Sequence, residues 1–170
     1  GENLTWTLSD GVLTISGTGA MTDYGSFNSP FLDRTDIQSV VIKSGVTSIG
    51  KSVFFRSTGL TSITIPSGVK SIGRSAFEGC TSLQMVSLNN IGSIIGNGVF
   101  YKCSSLTRVN VGAGFKGFED ITTSSYYTYE KYYPFEGCSK LKNINIVDFA
   151  SFNAIKNLNY RLFETEYAPI

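Results

Sequence analysis

A six-residue pattern, an apolar residue followed by two further apolar positions at the fourth and sixth places, recurs five times along the chain. It reads Ile37-Gln-Ser-Val40-Val-Ile42, Leu60-Thr-Ser-Ile63-Thr-Ile65, Leu83-Gln-Met-Val86-Ser-Leu88, Leu106-Thr-Arg-Val109-Asn-Val111 and Leu141-Lys-Asn-Ile144-Asn-Ile146. The starts lie at 37, 60, 83, 106 and 141, so three steps are 23 residues and the fourth is 35, as if twelve residues had been inserted. A fixed period in this range is the mark of a chain that coils on itself, and it restricts the fold more than any other feature.

The rest of each unit repeats as well. Val46-Thr-Ser-Ile49-Gly50 matches Val69-Lys-Ser-Ile72-Gly73, and Gly92-Ser-Ile-Ile95-Gly96 is a looser third copy. Phenylalanine returns at Phe54, Phe77, Phe100 and Phe135, and three residues after each stands Ser57, Cys80, Cys103 or Cys138. Each unit therefore holds one short strand whose alternate residues point the same way. One such strand cannot bury its apolar side alone. Stacked coils lay Ile on Ile and Phe on Phe, so that a shared interior forms between neighbours. The expected fold is a β-rich solenoid, a right-handed coil of about five repeats. At roughly 4.8 Å per strand its sheet spans about 20–24 Å. Gly50, Gly73 and Gly96 mark corners that need either a positive φ or close backbone approach.

An open stack would bare its core and an unpaired strand edge, so both ends require closure. Residues 1–36 are expected to form the leading cap. Leu4, Trp6 and Leu8 alternate, Asp10-Gly11 supplies a turn, and Leu13 and Ile15 alternate on the return, the signature of a β-hairpin. The repeats occupy 37–146, with the insertion at about 119–133. From 147 to 170 the spacing of Phe149, Phe152, Ile155 and Leu158 suggests a degenerate last repeat or cap. The whole is expected to be a single domain.

Composition narrows the function classes. The 14 basic and 13 acidic residues nearly cancel and form no run, which argues against a nucleic-acid partner. The longest uninterrupted apolar runs span only a few residues, such as Val40-Val41-Ile42, so no transmembrane helix can be drawn. Histidine is absent, which removes His-based triads and the commonest zinc ligand and general base. The chain opens Gly1-Glu2-Asn3 without a methionine, as a processed or recloned fragment would. The three cysteines make a poor disulfide framework. Zinc sites favour four ligands, often in close C-x-x-C pairs, whereas these thiols are 23 and 35 residues apart. Buried structural thiols, one per coil, fit better.

The unit Leu60-Thr-Ser-Ile-Thr-Ile-Pro-Ser-Gly-Val-Lys-Ser-Ile-Gly-Arg-Ser-Ala-Phe-Glu-Gly-Cys80 resembles the BspA-like, or treponemal-type, leucine-rich repeat family. Leu4-Thr-Trp-Thr-Leu8, Gly17-Thr-Gly-Ala-Met21 and Ser29-Pro30-Phe31 resemble the segment that often precedes such repeats. The chain departs from the pattern at Ser57, Gly92 and the insertion. The resemblance implies a bacterial, exported, cell-surface protein linked to adhesion or host-protein binding, and it brings no catalytic residues, metal or cofactor.

Two candidate binding surfaces follow. The insertion carries Tyr126, Tyr127, Tyr129, Tyr132 and Tyr133, five of the nine tyrosines, whose rigid rings and polar tips suit protein or glycan recognition. Such rings can equally serve only to cover the stretched coil. The other surface is the outward side of the strands, the usual binding face of a solenoid. By alternation it comprises Ser39 and Val41, Ser62 and Thr64, Met85 and Ser87, Arg108 and Asn110, and Asn143 and Asn145. The expected partner is a host or neighbouring-cell protein or glycan, with a spacer role in a longer surface protein as the alternative. A weaker alternative is a carbohydrate-active enzyme using two of Glu119, Asp120, Glu130 and Glu136, although nothing in their spacing selects a pair. Gly112-Ala-Gly114-Phe-Lys-Gly117 matches a dinucleotide fingerprint, yet Gly114 to Phe118 align with Gly68 to Ile72 of the repeat.

Overall fold

The computed structural model describes residues 1–89, 91–92, 95–119 and 133–147. Among these, ten strands form two sheets: β1 (Leu4–Ser9), β2 (Val12–Gly17), β3 (Gly19–Ala20), β4 (Ser39–Ile42), β5 (Val46–Ile49), β6 (Ser62–Thr64), β7 (Ser71–Ile72), β8 (Met85–Leu88), β9 (Arg108–Val111) and β10 (Asn143–Ile146). The larger sheet runs β1-β2-β4-β6-β8-β9-β10 and the smaller β3-β5-β7. The five repeat starts thus appear as five parallel strands, β4, β6, β8, β9 and β10, enclosing about four turns of the coil.

Registry follows the period. Val40 pairs with Ile63, Val86 with Val109 and Val109 with Ile144, so equivalent residues of successive coils lie side by side. Val40, Val86 and Val109 are buried, while Ile63 and Ile144 are half-buried and pack on the same core. The second face of the coil is held by the smaller sheet, where Ile49 pairs with Ile72 and an isolated parallel bridge joins Ile95 to Phe118. Phe118 therefore stands where the repeat puts it, in the column of Ile49, Ile72 and Ile95, and the glycines before it belong to a coil rather than to a phosphate loop.

The third face has no strand and is built on rings. Phe31, Phe54, Phe77, Phe100 and Phe135 stack with centroids 5.6, 5.3, 5.6 and 5.7 Å apart and planes within 17° of parallel. Near-parallel rings at such separations are offset, the arrangement the aromatic quadrupole prefers. Phe31, one period before Phe54, extends the ladder into the cap. Beside the rings runs a polar column. Ser57 donates its hydroxyl to the Phe31 carbonyl at 2.9 Å, and the thiols of Cys80, Cys103 and Cys138 donate to the carbonyls of Phe54, Phe77 and Phe100 at 3.1 Å each. The cysteines satisfy backbone acceptors of the preceding coil, and serine does the same where it replaces them.

All three thiols are buried and unpaired by disulfides. Burial disfavours the thiolate, raising Cys80 and Cys103 far above the ordinary thiol range and pushing Cys138 up to about 12. A raised value means that the unfolded chain ionises first. The contribution of these thiols is complete below the ordinary thiol range and is lost as pH climbs above it. In native protein at mildly alkaline pH, an aromatic disulfide reagent should leave all three thiols unmodified, and adding denaturant should release all three. Rapid native labelling of even one would contradict this placement.

The corner glycines need closeness, not handedness. None of Gly50, Gly73 and Gly96 has a positive φ. A Cβ on Gly73 would lie 2.6 Å from the Lys51 nitrogen, and one on Gly96 2.3 Å from the Arg74 nitrogen. On the third face, by contrast, positive φ recurs at Ser52, Ser75 and Gly98 and at Arg56, Gly79, Lys102 and Gly137.

The leading end is a hairpin, as expected. β1 and β2 pair antiparallel, Ser9 opposite Val12, through Asp10 and Gly11 at φ 49° and 77°. Positive φ at both central residues is the type I′ requirement that Asp-Gly meets. β2 then joins β4 in parallel, Leu13 beside Val40 and Ile15 beside Ile42, and so takes the place of a further coil. The trailing segment 148–170, with its expected degenerate repeat or cap, lies outside the described residues.

Candidate functional site

The outward residues of the sheet form two columns. Ser39 lies beside Ser62, Ser62 beside Met85, Met85 beside Arg108 and Arg108 beside Asn143. In the second column Val41 adjoins Thr64, and Ser87 adjoins Asn110, which adjoins Asn145. Five strands at the usual spacing make this patch ~19 Å long. Ser62, Thr64, Arg108, Asn143 and Asn145 are exposed, Met85 is 47% exposed, and Ser39, Val41, Ser87 and Asn110 are half-buried. All ten sequence-predicted positions therefore lie together on one accessible face.

Its polar groups are already ordered. The Asn145 amide donates to Asn110 Oδ1 at 2.8 Å, and the Asn110 amide donates to Ser87 Oγ at 3.2 Å. At the margin, Thr61 and Thr107 hydroxyls donate to the Gln38 and Gln84 carbonyls at 2.8 and 3.0 Å. Fixing these side chains in the free protein lowers the entropy lost on binding. Arg108 is the only ionisable side chain of the ten. The face can hydrogen-bond and offer thioether surface, and it holds no group suited to proton transfer.

Of the insertion, residues 120–132 lie outside the described residues, and with them Tyr126, Tyr127, Tyr129 and Tyr132. Tyr133 is described, and here the expectation of an exposed contact ring is corrected. Tyr133 is 7% exposed. It adjoins Pro134 and Phe135, where the chain re-enters the ring ladder, and burial there removes it from the accessible surface.

Glu119, at the start of the insertion, is engaged. Arg74 clamps it with two guanidinium donors, Nε–H to Oε2 at 2.7 Å and an Nη2–H to Oε1, and the main-chain N–H of Asn97 also donates to Oε2 at 3.1 Å. The Arg74 hydrogen bond holds this carboxyl below its usual range against an opposing effect of burial. A glycosidase acid needs the reverse shift. Its ion pair stabilises the fold above the ordinary carboxylate range and weakens as pH falls through it. Glu136 accepts the Tyr133 amide at 3.4 Å, and Asp120 and Glu130 lie outside the described residues. Among the described residues, no three Cys, Asp or Glu side chains gather as a metal site, and no helix is long and apolar enough to cross a membrane.

One feature escaped the spacing argument: a half-open cavity of about 210 Å³ in the leading cap, beside Trp6. Its signal was present, since the chain's single tryptophan falls on the outermost strand.

A repeated coil, three stacked faces and a polar sheet surface define a leucine-rich repeat solenoid. The chain belongs to the BspA type leucine rich repeat family, whose model matches residues 26–127 and 113–166 and counts six copies. A comparison with curated proteins gives no match. Three solved structures share the fold. A leucine-rich repeat protein from Eubacterium ventriosum is 27% identical at a TM-score of 0.57, covering 87% of this chain and 43% of that one. A leucine rich cell surface protein from Faecalibacterium prausnitzii is 22% identical at 0.58, covering 91% and 41%. The leucine rich repeat protein of T. pallidum is 18% identical at 0.56, covering 96% of both chains. The chain thus spans less than half the length of the first two.

Proposed function

We propose that this chain is a non-catalytic, extracellular or cell-surface interaction module. It binds a macromolecule, a host or neighbouring-cell protein or glycan, on the outer face of β4, β6, β8, β9 and β10. The observation that carries the reading is the contiguous patch of ten accessible, largely uncharged positions, with its Asn145–Asn110–Ser87 hydrogen-bonded ladder. Membership of a surface-protein repeat family supports it. Tyr126, Tyr127, Tyr129 and Tyr132 supply a second contact element from the insertion.

Immobilised extracellular-matrix proteins and glycans provide the test. The combined variant Ser62→Glu, Arg108→Ala, Asn145→Glu alters exposed side chains only and should keep the wild-type Tm. It should lose at least about tenfold in affinity for any captured ligand. A version lacking residues 121–132 should lose part of it. Binding abolished by that deletion but untouched by the sheet variant would move the site to the insertion. No capture on any surface would favour a spacer role.

A further inference from the structure

We propose that the leading cap is a second binding site, which takes an extended, uncharged polypeptide as an added strand along β1, with one apolar side chain seated beside Trp6. The inference is independent of the outer-face reading.

Hydrogen-bond parity comes first. In a hairpin closed by a two-residue turn, the residues flanking the turn, Ser9 and Val12, exchange main-chain hydrogen bonds, and every second pair does likewise. The Thr18 amide donating to the Asn3 carbonyl at 3.3 Å belongs to this series. Asn3, Thr5, Thr7 and Ser9 thus turn their amides and carbonyls toward β2, while those of Leu4, Trp6 and Leu8 face the outer edge. The Leu4 amide is taken by the Gly1 carbonyl at 3.1 Å. Among the described residues nothing pairs with the main chain of Trp6 or Leu8 on that side, because β1 is the end strand of its sheet.

Edge strands are normally guarded by a lysine, a proline or a bulge. β1 has none of these: Leu-Thr-Trp-Thr-Leu-Ser is uncharged, strand-forming and in unbroken register with β2. Its edge groups match those of another extended chain, and with no charged side chain on β1 it offers a charged partner residue no counter-ion.

The cavity supplies the side-chain pocket. Leu4, Trp6, Ile15, Tyr24 and Phe31 line its apolar side, and on its polar side the Gly1 nitrogen donates to the Thr22 hydroxyl at 2.8 Å. Trp6 stands edge-on to Phe31 at 5.4 Å and remains 48% exposed. Directly paired residues of neighbouring strands project to the same face. A peptide residue opposite Trp6 therefore directs its side chain to the face that lines the cavity. A dry cavity of about 150 Å³ holds a benzene ring, so 210 Å³ accommodates a phenylalanine side chain. Main-chain pairing for affinity and a pocket for selection are the two parts of strand-addition recognition.

Trp6, as the only tryptophan, reports occupancy by its own fluorescence when excited beyond tyrosine absorption. The probe is a blocked pentapeptide of four threonines around a central phenylalanine, titrated into the full chain. Saturable change of the Trp6 signal is expected. An analogue N-methylated at the amides facing β1 should bind about tenfold more weakly or not at all, and a central glycine, which leaves the cavity unfilled, should abolish binding. Two variants report on the site. Leu8→Pro deletes an edge donor without touching the β1–β2 ladder, and Thr22→Tyr crowds the cavity from an exposed position; each should lose binding with the far-ultraviolet circular dichroism unchanged. Should Leu8→Pro unfold the cap, Thr22→Tyr and the N-methylated peptide still decide. No signal change, equal binding of the N-methylated peptide, or a response to an oligosaccharide alone would overturn the proposal. A Trp6 change that follows protein concentration in the absence of peptide would overturn it in favour of a second copy on this edge.

Discussion

Replacing Phe77 by alanine is expected to destabilise the protein by roughly 3–5 kcal/mol in urea unfolding. The ring is fully buried and stacked on both sides, at 5.3 Å from Phe54 and 5.6 Å from Phe100. Two contributions add. The first is the transfer of the lost ring atoms to water, and the second is the cavity left between coils. That cavity resists collapse, because the backbone on either side is pinned: the Phe77 amide donates to the Val99 carbonyl at 2.9 Å and the Phe54 amide to the Ala76 carbonyl at 2.9 Å. Coils held at fixed spacing cannot close over a missing ring. Lys70→Ala is the control. Lys70 is exposed and, among the described residues, its ammonium donates to the Ser67 carbonyl at 2.7 Å, so the change should stay within about 0.5 kcal/mol. Equal losses at the two positions would mean that the ring ladder does not hold the third face together.

The same ladder shows what a sequence with a period discloses and what it withholds. Phe54, Phe77, Phe100 and Phe135 were legible because a side chain buried once per coil must recur once per coil. Phe31 follows the rule too, one period before Phe54, but the apolar strand pattern that sets the alignment does not begin until Ile37. The outward columns were legible for an equally simple reason, since strand alternation and a constant period leave no freedom over which residues adjoin. Ser62 must meet Met85, and it does. Periodicity is silent where the chain leaves the period. Tyr133 looked like part of a tyrosine-rich surface loop, yet it directly precedes Pro134 and Phe135, whose return to the stack carries it inward. Glu119 shows the same limit. It occupies the place of the corner glycines, one period after Gly96, and keeps their hydrogen bond, its amide donating to the Ile95 carbonyl at 2.7 Å. Its carboxylate then turns to Arg74, a partnership between columns that no single-column pattern encodes. The cavity beside Trp6 was hidden for a related reason. It arises where the hairpin meets a non-repeating cap segment, and no second copy exists to compare.

Gly96→Ala is expected to cost at least about 2–3 kcal/mol, although it adds only one methyl group and forces no unusual dihedral. The argument rests on what lies behind the glycine. An added Cβ would stand 2.3 Å from the Arg74 nitrogen and 2.6 Å from the Gly73 carbonyl carbon, well inside contact distance and against main chain, which has no rotamer to change. The coils must separate there. The hydrogen bond that fixes them, Gly96 amide to Ile72 carbonyl at 2.9 Å, runs through the same residue and would lengthen with them. Gly73 stands in the same relation to Lys51, and Gly50 to Thr22, so the three glycines are one requirement met in three successive coils. Gly92→Ala separates this effect from the general cost of removing a glycine. Among the described residues the nearest atom to its Cβ would be Lys70 Cδ, the far end of a flexible side chain, at 3.8 Å, and its φ is not positive. Less freedom in the unfolded chain should then leave it neutral or up to about 1 kcal/mol more stable. Thermal and urea unfolding of the pair give the answer. Two alanine variants of similar stability would show that the coils are not held apart by the distance a glycine allows, and the account of the corner column would fail with them.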